Sequence, residues 1–204
     1  MANKNTQDLL LNAAIDLFYK KGYSDTSIRD IGAKAGLSNS LVYHYYKDKE
    51  EILFQIVRDA SQDLLDALLE VTERVSDPQE CLKEMLVVHT IAYGFKRKKE
   101  SKIVVEDHYF LRGKRREIIR KQQRQIYDLY LKKLNELAET GVMNNVDTTV
   151  VNFSIFGIIN WLLRWYKEGG RLSKEEAIDN IQRLLFHGLI KAAPVSALDE
   201  VVSE

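Results

Sequence analysis

The chain is poor in cysteine and proline. Its 204 residues include one cysteine, Cys81, and two prolines. A single thiol excludes an internal disulfide framework and a cysteine-rich metal site, and it favours a reducing compartment. Two prolines leave long stretches without the residue that most often interrupts a helix. Together with a hydrophobic content of 45%, this scarcity predicts an ordered and mostly helical protein.

The chain also lacks a long apolar run and a net charge. The longest apolar run, near residues 155–163, is interrupted by Asn160 and is too short to span a bilayer. The first residues, MANKNTQ, are polar and do not resemble a secretory signal. We therefore expect no membrane association and a cytoplasmic location. The formal net charge is zero, so a nucleic-acid site has to arise from local charge.

Catalytic motifs are missing as well. The sequence has no glycine-rich phosphate loop after a strand, no nucleophile elbow and no convincing Cys-His pair. None of the four histidines has another histidine four residues away, and His108 beside Asp107 is only a weak indication of a metal site. We expect no enzyme, no bound metal and no cofactor.

One stretch, TSIRDIGAKAGLSNSLVYHYYKDK, which begins at Thr26, predicts two short helices joined by a glycine turn. A hydroxyl at Thr26 or Ser27 can cap the first helix, whose apolar residues recur at helical spacing until Gly36 ends it. Ser38 or Asn39 begins the second helix. Two helices joined in this way form a helix-turn-helix, in which the second helix enters the DNA major groove.

The exposed side of the second helix is expected to be polar. Its donors and acceptors suit base edges and phosphates, and basic residues that can neutralise phosphates follow it. The predicted DNA-binding residues are Thr26, Ser27, Ser38, Asn39, Ser40, Tyr43, His44, Lys47 and Lys49. The three at the start of the second helix are expected nearest to base edges, and the others against phosphates.

The same stretch resembles the DNA-binding head of TetR-type repressors. That family has an aromatic-x-x-Gly-aromatic turn before the motif, as in FYKKGY from Phe18 to Tyr23, and its motif aligns with TSIRDIGAKAGLS and YHYYKDKEEIL here. Gly32, Leu37 and Tyr46 depart from the family's usual alanine, valine and phenylalanine. The resemblance covers about the first quarter of the chain. It implies a homodimer that reads a palindromic operator and a second, helical part that binds a small effector.

Helical periodicity continues through the rest of the chain, and no stretch reads as a convincing strand. The predicted fold is all-α with about nine helices. An N-terminal three-helix helix-turn-helix domain occupies residues 1–48, and a C-terminal helical bundle for ligand binding and dimerisation occupies residues 49–204. Beyond the two-helix motif, the predicted helices run over residues 6–21, 49–75, 78–95, 114–140, 147–167 and 173–191. Thr6 is the expected cap of the first of these, and Ser173 with Glu176 three residues later is the expected capping box of the last.

The last two of these helices, residues 147–167 and 173–191, are apolar on more than one face. A helix-turn-helix reads DNA as a two-fold pair. We therefore favour a four-helix dimer interface over the alternative, which is the interior of one larger bundle. Gly157 and Gly188 would allow the helices of such an interface to approach closely.

Residues 96–133 carry 14 basic and five acidic side chains, a net charge of +9 in a neutral chain. Three interpretations are open at this point. The charges can form a solvated face, they can attract an anionic effector such as a phosphate-bearing thioester, or they can add contacts to DNA.

The segment NWLLRWYKEGGRLS, from Asn160 to Ser173, resembles the end of the penultimate helix in acyl-CoA-responsive members of the TetR family. Trp161 and Trp165 are one turn apart, with Arg164 between them. Indole faces can stack on an adenine or line an acyl tunnel, and a guanidinium can hold a phosphate. The alternative is that both tryptophans lie in a core or an interface and that the arginine pairs with an acid.

The predicted effector-binding residues are Tyr93, Tyr109, Phe110, Arg120, Tyr127, Trp161, Arg164 and Trp165. We expect a TetR-type repressor that a small effector, an acyl-CoA thioester, releases from double-stranded operator DNA. The alternatives are an uncharged lipophilic or aromatic effector, a helical enzyme, and an architectural protein that bends DNA without a preferred site.

Overall fold

The structure is a computed structural model that describes residues 2–187, with side chains from residue 5 onward. Within that range the chain forms helices and turns and no strand, which confirms the predicted all-α fold. The described chain divides into two units, one up to residue 166 and the other from residue 167 onward. None of the described helices is both long and apolar enough to cross a membrane. Gly188 and the predicted helix end at Lys191 lie outside the described residues.

The first unit contains eight α-helices: α1 Ala2–Lys21, α2 Ile28–Ala35, α3 Asn39–Tyr45, α4 Lys49–Arg74, α5 Pro78–His89, α6 Lys98–Asp107, α7 Gly113–Glu139 and α8 Thr148–Trp165. A π-helical segment, Thr90–Lys96, continues α5, and a single 3-10 turn, His108–Phe110, follows α6. The second unit contains α9, Lys174–His187. The domain division expected at residue 48 stays a prediction.

The predicted start of α1 differs from the structure, whereas the predicted start of α9 agrees with it. The helix α1 begins at Ala2, so Thr6 lies inside it and the prediction that Thr6 is its cap was wrong. Residues 2–5 contain no proline or glycine that would stop the helix earlier. The predicted capping box of α9 is confirmed, because Glu176 N donates to Ser173 Oγ at 3.1 Å and Ser173 N donates to Glu176 Oε2 at 2.7 Å.

The helices α2 and α3 approach each other at a glycine. A Cβ added at Gly32 would lie 3.0 Å from the Leu37 carbonyl oxygen and 3.2 Å from Val42 Cγ2, so a larger side chain would push the two helices apart. Gly36, with φ 70°, turns the chain between them in the left-handed region. The pair therefore forms the compact helix-turn-helix that the sequence predicted.

The helix α4 is the central element of the first unit. It packs against α5, α6 and α7 and also contacts α1. Its buried stripe contains Ile52, Leu53, Ile56, Val57, Ala60, Ser61, Leu64, Leu65, Leu68 and Val71. Because this stripe runs from one end of the helix to the other, α4 joins the three N-terminal helices to the rest of the unit.

The region after α5 differs from the prediction of one helix over residues 78–95. The α-helical pattern stops at His89, and a π-helical segment carries the chain to Lys96. Within this wider turn Gly94 lies against α8, where an added Cβ would be 2.6 Å from Leu162 Cδ2. π-helical turns often lie next to functional sites, and this one contributes Tyr93 to the cavity described below.

Tyr46, which follows α3, is 2% exposed, and its hydroxyl donates to Gln55 Oε1 on α4 at 3.0 Å. We expect Tyr46→Phe to lower the free energy of unfolding by about 1 kcal/mol, the typical contribution of one such hydrogen bond. Urea unfolding would measure the change. Tyr45→Phe is the matched control, because the Tyr45 hydroxyl has no hydrogen bond within the described range. Equal stability of Tyr46→Phe and the wild type would show that the hydrogen bond from Tyr46 to Gln55 does not stabilise the fold.

Candidate functional site

The helix α3 presents a polar surface. Six of the nine predicted DNA-binding side chains are exposed on it or beside it, namely Ser38, Asn39, Ser40, Tyr43, His44 and Lys47. The Tyr43 side chain is 58% exposed, whereas Val42 and Tyr46 are buried. Ser38 Oγ accepts a hydrogen bond from Leu41 N at 3.3 Å. The cap that begins the helix is therefore itself part of the exposed polar surface.

Thr26 and Ser27 have contacts within the protein. The Thr26 side chain is buried, and its hydroxyl donates to the Gly22 carbonyl oxygen at 2.9 Å. Ser27 is exposed and caps α2, where its Oγ accepts from Asp30 N at 3.2 Å and Asp30 Oδ2 accepts from Ser27 N at 2.9 Å. Both hydroxyls thus fix the start of α2, and DNA contact by either residue stays a prediction.

Lys49 points from the start of α4 towards the turn between α1 and α2. Its Nζ donates to the carbonyl oxygens of Tyr23 and Thr26, both at 2.7 Å, and lies 4.2 Å from the centre of the Tyr23 ring. Partial burial lowers the pKa of Lys49, and the charges of Asp25 and Asp107 oppose that shift. The ammonium group therefore holds this turn in place, and its contact with a phosphate stays a prediction.

A cavity of about 340 Å³ lies within the first unit, lined by α4 to α8, the π-helical segment and the turn at His108. Its lining residues are Leu64, His89, Tyr93, Val104, Val105, His108, Gln123, Ile126, Tyr127, Phe153, Phe156 and Asn160. None of these twelve is an aspartate, glutamate, lysine or arginine. A concave, mostly apolar lining with a few polar groups is typical of a small-molecule site.

An open groove of about 590 Å³ adjoins the cavity along α7. It shares Gln123, Tyr127 and Phe153 with the cavity. Its other lining residues are Glu117, Arg120, Lys121 and Arg124. Residues at steps of three and four, from Arg120 to Tyr127, lie on one face of α7. Three cations and one carboxylate make this groove positively charged, so it suits an anionic group.

Many other basic side chains of residues 96–133 pair with acids. Arg97 pairs with Asp63, and Lys99 Nζ lies 2.5 Å from Asp16 Oδ1 on α1. Arg124 combines both roles, since its Nε lies 2.9 Å from Asp128 Oδ1 while the side chain lines the groove. Across the part of the chain that the structure describes, the groove residues Arg120 and Lys121 make no ion pair.

Three of the eight predicted effector-binding residues border the cavity or the groove. Tyr93 lines the cavity, Arg120 lines the groove, and Tyr127 lines both. Tyr109, in contrast, is 59% exposed. Phe110 packs on Tyr23 with a ring-centre distance of 4.9 Å. For Tyr109 and Phe110, effector contact stays a prediction without support from their positions.

Trp161, Arg164 and Trp165 lie on a different face of α8 from the cavity. The two tryptophans are 62% and 44% exposed, and Arg164 Nη2 lies 2.9 Å from Glu106 Oε1. Phe153, Phe156 and Asn160 face the cavity at steps of three and four, and the tryptophans are rotated away from that stripe. Arg164 therefore pairs with an acid, and effector contact by these three residues stays a prediction.

Two structural links connect the cavity with the N-terminal helices. His108 lines the cavity, and Phe110 in the same turn packs on Tyr23. On α7, about one and a half turns before Arg120 and Lys121, Arg115 Nη1 lies 2.8 Å from Oδ1 of Asp48, the residue that caps α4. The pair keeps the pKa of the Asp48 carboxyl below its usual value, although burial acts in the opposite direction. These contacts join the elements around the cavity to the N-terminal helices and to the residue that caps α4.

Sequence analysis missed His89, the most deeply buried polar group of the cavity. It is 2% exposed, and its Nδ1 lies 3.2 Å from the Tyr130 hydroxyl. Burial lowers the pKa of His89 to about 3, so the ring is neutral near pH 7. Its spacing of four residues from Tyr93 was the available signal. No three His, Cys, Asp or Glu side chains within the described range are close enough together to hold a metal ion.

The lowered pKa of His89 predicts a pH dependence of stability. Between about pH 6.5 and pH 3 the unfolded chain binds a proton at this position and the folded chain does not, so the free energy of unfolding falls as the pH is lowered. The slope from this residue approaches about 1.4 kcal/mol per pH unit. Urea unfolding at several pH values should show a shallower slope for His89→Phe than for the wild type.

His44→Phe is the control for this measurement, because His44 is exposed on α3 and its replacement should leave the slope unchanged. An identical slope in His89→Phe and the wild type would show that His89 takes up a proton equally in the folded and unfolded states.

Comparison with known proteins agrees with this geometry. Residues 10–56 match the model of bacterial regulatory proteins of the tetR family. Residues 75–189 match the model of the tetracyclin repressor-like C-terminal domain. The HTH-type transcriptional repressor KstR2 of Mycolicibacterium smegmatis is 23% identical over 197 residues, which cover 91% of each chain.

Two solved structures share the fold. AibR, in its complex with isovaleryl coenzyme A and operator DNA, has a TM-score of 0.83 and 26% identity, covering 89% of this chain and 98% of AibR. The TetR family regulator PfmR from Thermus thermophilus has a TM-score of 0.81 and 27% identity, covering 89% of this chain and 99% of PfmR.

Proposed function

Because the chain belongs to the TetR family of bacterial regulatory proteins, we propose that it is a homodimeric repressor that a CoA thioester releases from a palindromic operator. One observation carries the choice of effector. An uncharged, mostly apolar cavity opens onto a groove with three basic side chains. The acyl group occupies the cavity, and the phosphates of CoA lie in the groove. A regulator that binds the chromosome acts in the cytoplasm, so we place the chain there.

The helix α3 enters the major groove of the operator. Ser38, Asn39 and Ser40 at its start lie nearest to the base edges, and Tyr43 and His44 flank the phosphates. Further exposed cations, Lys47 after α3 and Arg29 on α2, add contacts to the backbone. The heads of two protomers occupy successive major grooves about 34 Å apart.

The dimer forms through α8. Its large apolar side chains Val150, Phe153, Trp161 and Trp165 are 58%, 63%, 62% and 44% exposed. Exposed apolar groups of this size on one helix are typical of a protein interface. A two-fold partner presents the same surface to them. On this proposal the tryptophans lie in the protomer contact, and Phe153, which also lines the cavity and the groove, lies at its edge.

The effector acts by favouring one of two shapes. It shifts their equilibrium only by the difference between its affinities for them. Two contacts described above, Phe110 on Tyr23 and Arg115 on Asp48, join the elements around the cavity to the segments just before α2 and just after α3. In the shape that fits the ligand, the two DNA-binding heads are the wrong distance apart for the operator, so the dimer dissociates from the DNA.

The DNA-binding surface is tested by Tyr43→Ala. We expect this variant to bind its operator at least about tenfold more weakly at fixed salt, since one good contact contributes about 1–3 kcal/mol. The probe is a duplex that the wild-type protein selects from fragments of its genome, and fluorescence anisotropy gives the affinity. Sedimentation should show an unchanged dimer.

Val142→Ala is the control. Val142 is 70% exposed, and it follows α7, outside the three N-terminal helices and outside the contacts that lead to them. Its replacement should leave operator affinity unchanged. Equal affinity of Tyr43→Ala and the wild type would overturn the placement of α3 on the DNA.

The groove is tested by the double variant Arg120→Ala, Lys121→Ala. We expect at least about tenfold weaker binding of acyl-CoA thioesters, because each lost contact to a phosphate removes a charge-assisted hydrogen bond. Calorimetry with a panel of thioesters measures the affinity, and release of the operator duplex reports the response. The control is the double variant Lys114→Ala, Arg116→Ala, which removes two exposed cations of α7 outside the groove. It should change neither the affinity for thioesters nor the release of the operator duplex.

The runner-up is an uncharged lipophilic effector, which the apolar cavity would accommodate without the groove. If no CoA thioester binds the wild-type protein, and a neutral aromatic compound both stabilises it and releases the operator, this second function replaces the first. The repressor role itself is decided by the operator experiment and does not depend on this outcome.

A further inference from the structure

The cavity contains two imidazoles whose positions are not explained by packing alone. His89, on α5, is 2% exposed, and His108 follows α6. Both line a surface that is otherwise aliphatic and aromatic, apart from the amides of Gln123 and Asn160 and the hydroxyls of Tyr93 and Tyr127. A plain hydrocarbon group in this cavity would leave these nitrogen atoms without a partner. Buried polar groups of that kind destabilise a complex.

The hydrogen bonds around His89 define which ring nitrogen is free to bond to a ligand. The Tyr130 hydroxyl donates its one proton to the Met85 carbonyl oxygen at 3.0 Å. At His89 Nδ1, 3.2 Å away, the same oxygen therefore acts as the acceptor. Nδ1 carries the hydrogen, and Nε2 of the neutral ring has a free lone pair. Nε2 makes no hydrogen bond with any group in the described residues, so it can accept one from a ligand.

His108 provides a second, independent indication. Its Nδ1 is buried and has no hydrogen-bond partner in the described part of the chain, although the residue lines the cavity. Whether that nitrogen donates or accepts depends on the tautomer. A hydroxyl group satisfies either case, because it is both a donor and an acceptor.

We propose that the group bound in the cavity is a hydroxylated acyl group, whose hydroxyl donates to His89 Nε2, rather than a plain hydrocarbon chain. This inference rests on the proposed function, because it takes a CoA thioester as the effector. The hydroxyl lies on an aliphatic chain or on a ring, and both have the same hydrogen-bonding chemistry. The apolar lining surrounds the rest of the acyl group, and His108 is the second polar contact available to it.

The test compares matched pairs of thioesters that differ by one hydroxyl. The pairs are butyryl-CoA with 3-hydroxybutyryl-CoA, hexanoyl-CoA with its 3-hydroxy and 6-hydroxy forms, and benzoyl-CoA with its hydroxylated forms. Calorimetry gives the affinity of the wild-type protein for each. We expect at least one hydroxylated member to bind about tenfold or more tightly than its plain partner, as one buried hydrogen bond provides.

The variant His89→Phe keeps an aromatic ring and removes Nε2. It should lose the preference for the hydroxylated member and still bind the plain thioester. Ile126→Val is the control, because it alters the apolar lining and leaves both imidazoles in place, and it should keep the preference.

Each outcome has one meaning. Equal or weaker binding of every hydroxylated member by the wild-type protein overturns the inference and leaves the CoA-responsive repressor standing. A preference that persists in His89→Phe overturns the assignment to His89. The absence of binding by any thioester, plain or hydroxylated, overturns the proposed effector class and this inference with it. The wild-type comparison is decisive even where a variant fails to fold.

Discussion

The packing of α4 against α7 is the interaction on which the rest of the structure depends. Each helix is about 40 Å long at 1.5 Å per residue, so their contact spans most of the first unit. Asp48 caps the N-terminal end of α4, which follows α3 directly in the chain. Arg115 of α7 forms an ion pair with this capping carboxylate. Further along, Leu64 of α4 and Tyr127 of α7 line the cavity. The two sites therefore share one pair of helices.

The basic side chains of α7 differ in whether they form an ion pair with an acid. Arg115 is tied to a capping carboxylate and is part of the framework. Arg120 and Lys121, one to two turns later, make no ion pair within the described residues and line the groove. The cavity beside them contains no charged side chain. An anionic head group and an uncharged tail are thus accommodated by adjacent stretches of one helix, and both lie close to the contacts that lead to the DNA-binding head.

Several local features followed from the sequence because they depend on neighbouring residues. Ser27, Gly36 and Ser38 mark helix ends by their own hydroxyls or backbone freedom, and the structure has these ends in the expected places. The polar, exposed face of α3 was also predicted from the sequence, and the structure has it there. The nature of the protein as a TetR family member was recognisable from the same short stretch, because the motif is contiguous. The extra turn at the start of α1 was missed, since its polar residues give no signal for or against a helix.

The cavity could not be derived in the same way, because its lining comes from five helices, the π-helical segment and a turn that are far apart in sequence. The tryptophans of α8 attracted attention by their chemistry, yet the rotation of that helix turns them away from the cavity and brings Phe153, Phe156 and Asn160 to it. His89 gave no signal beyond its spacing of four residues from Tyr93, and its neutral state results from burial among residues such as Tyr130. The sequence by itself determined most of the helices, the caps of α2 and α3 and the DNA-reading motif, since these depend on local spacing. Only the tertiary structure decided which side chains meet in the cavity and which basic residues lack a partner, since those properties depend on helix rotation and on contacts between distant segments.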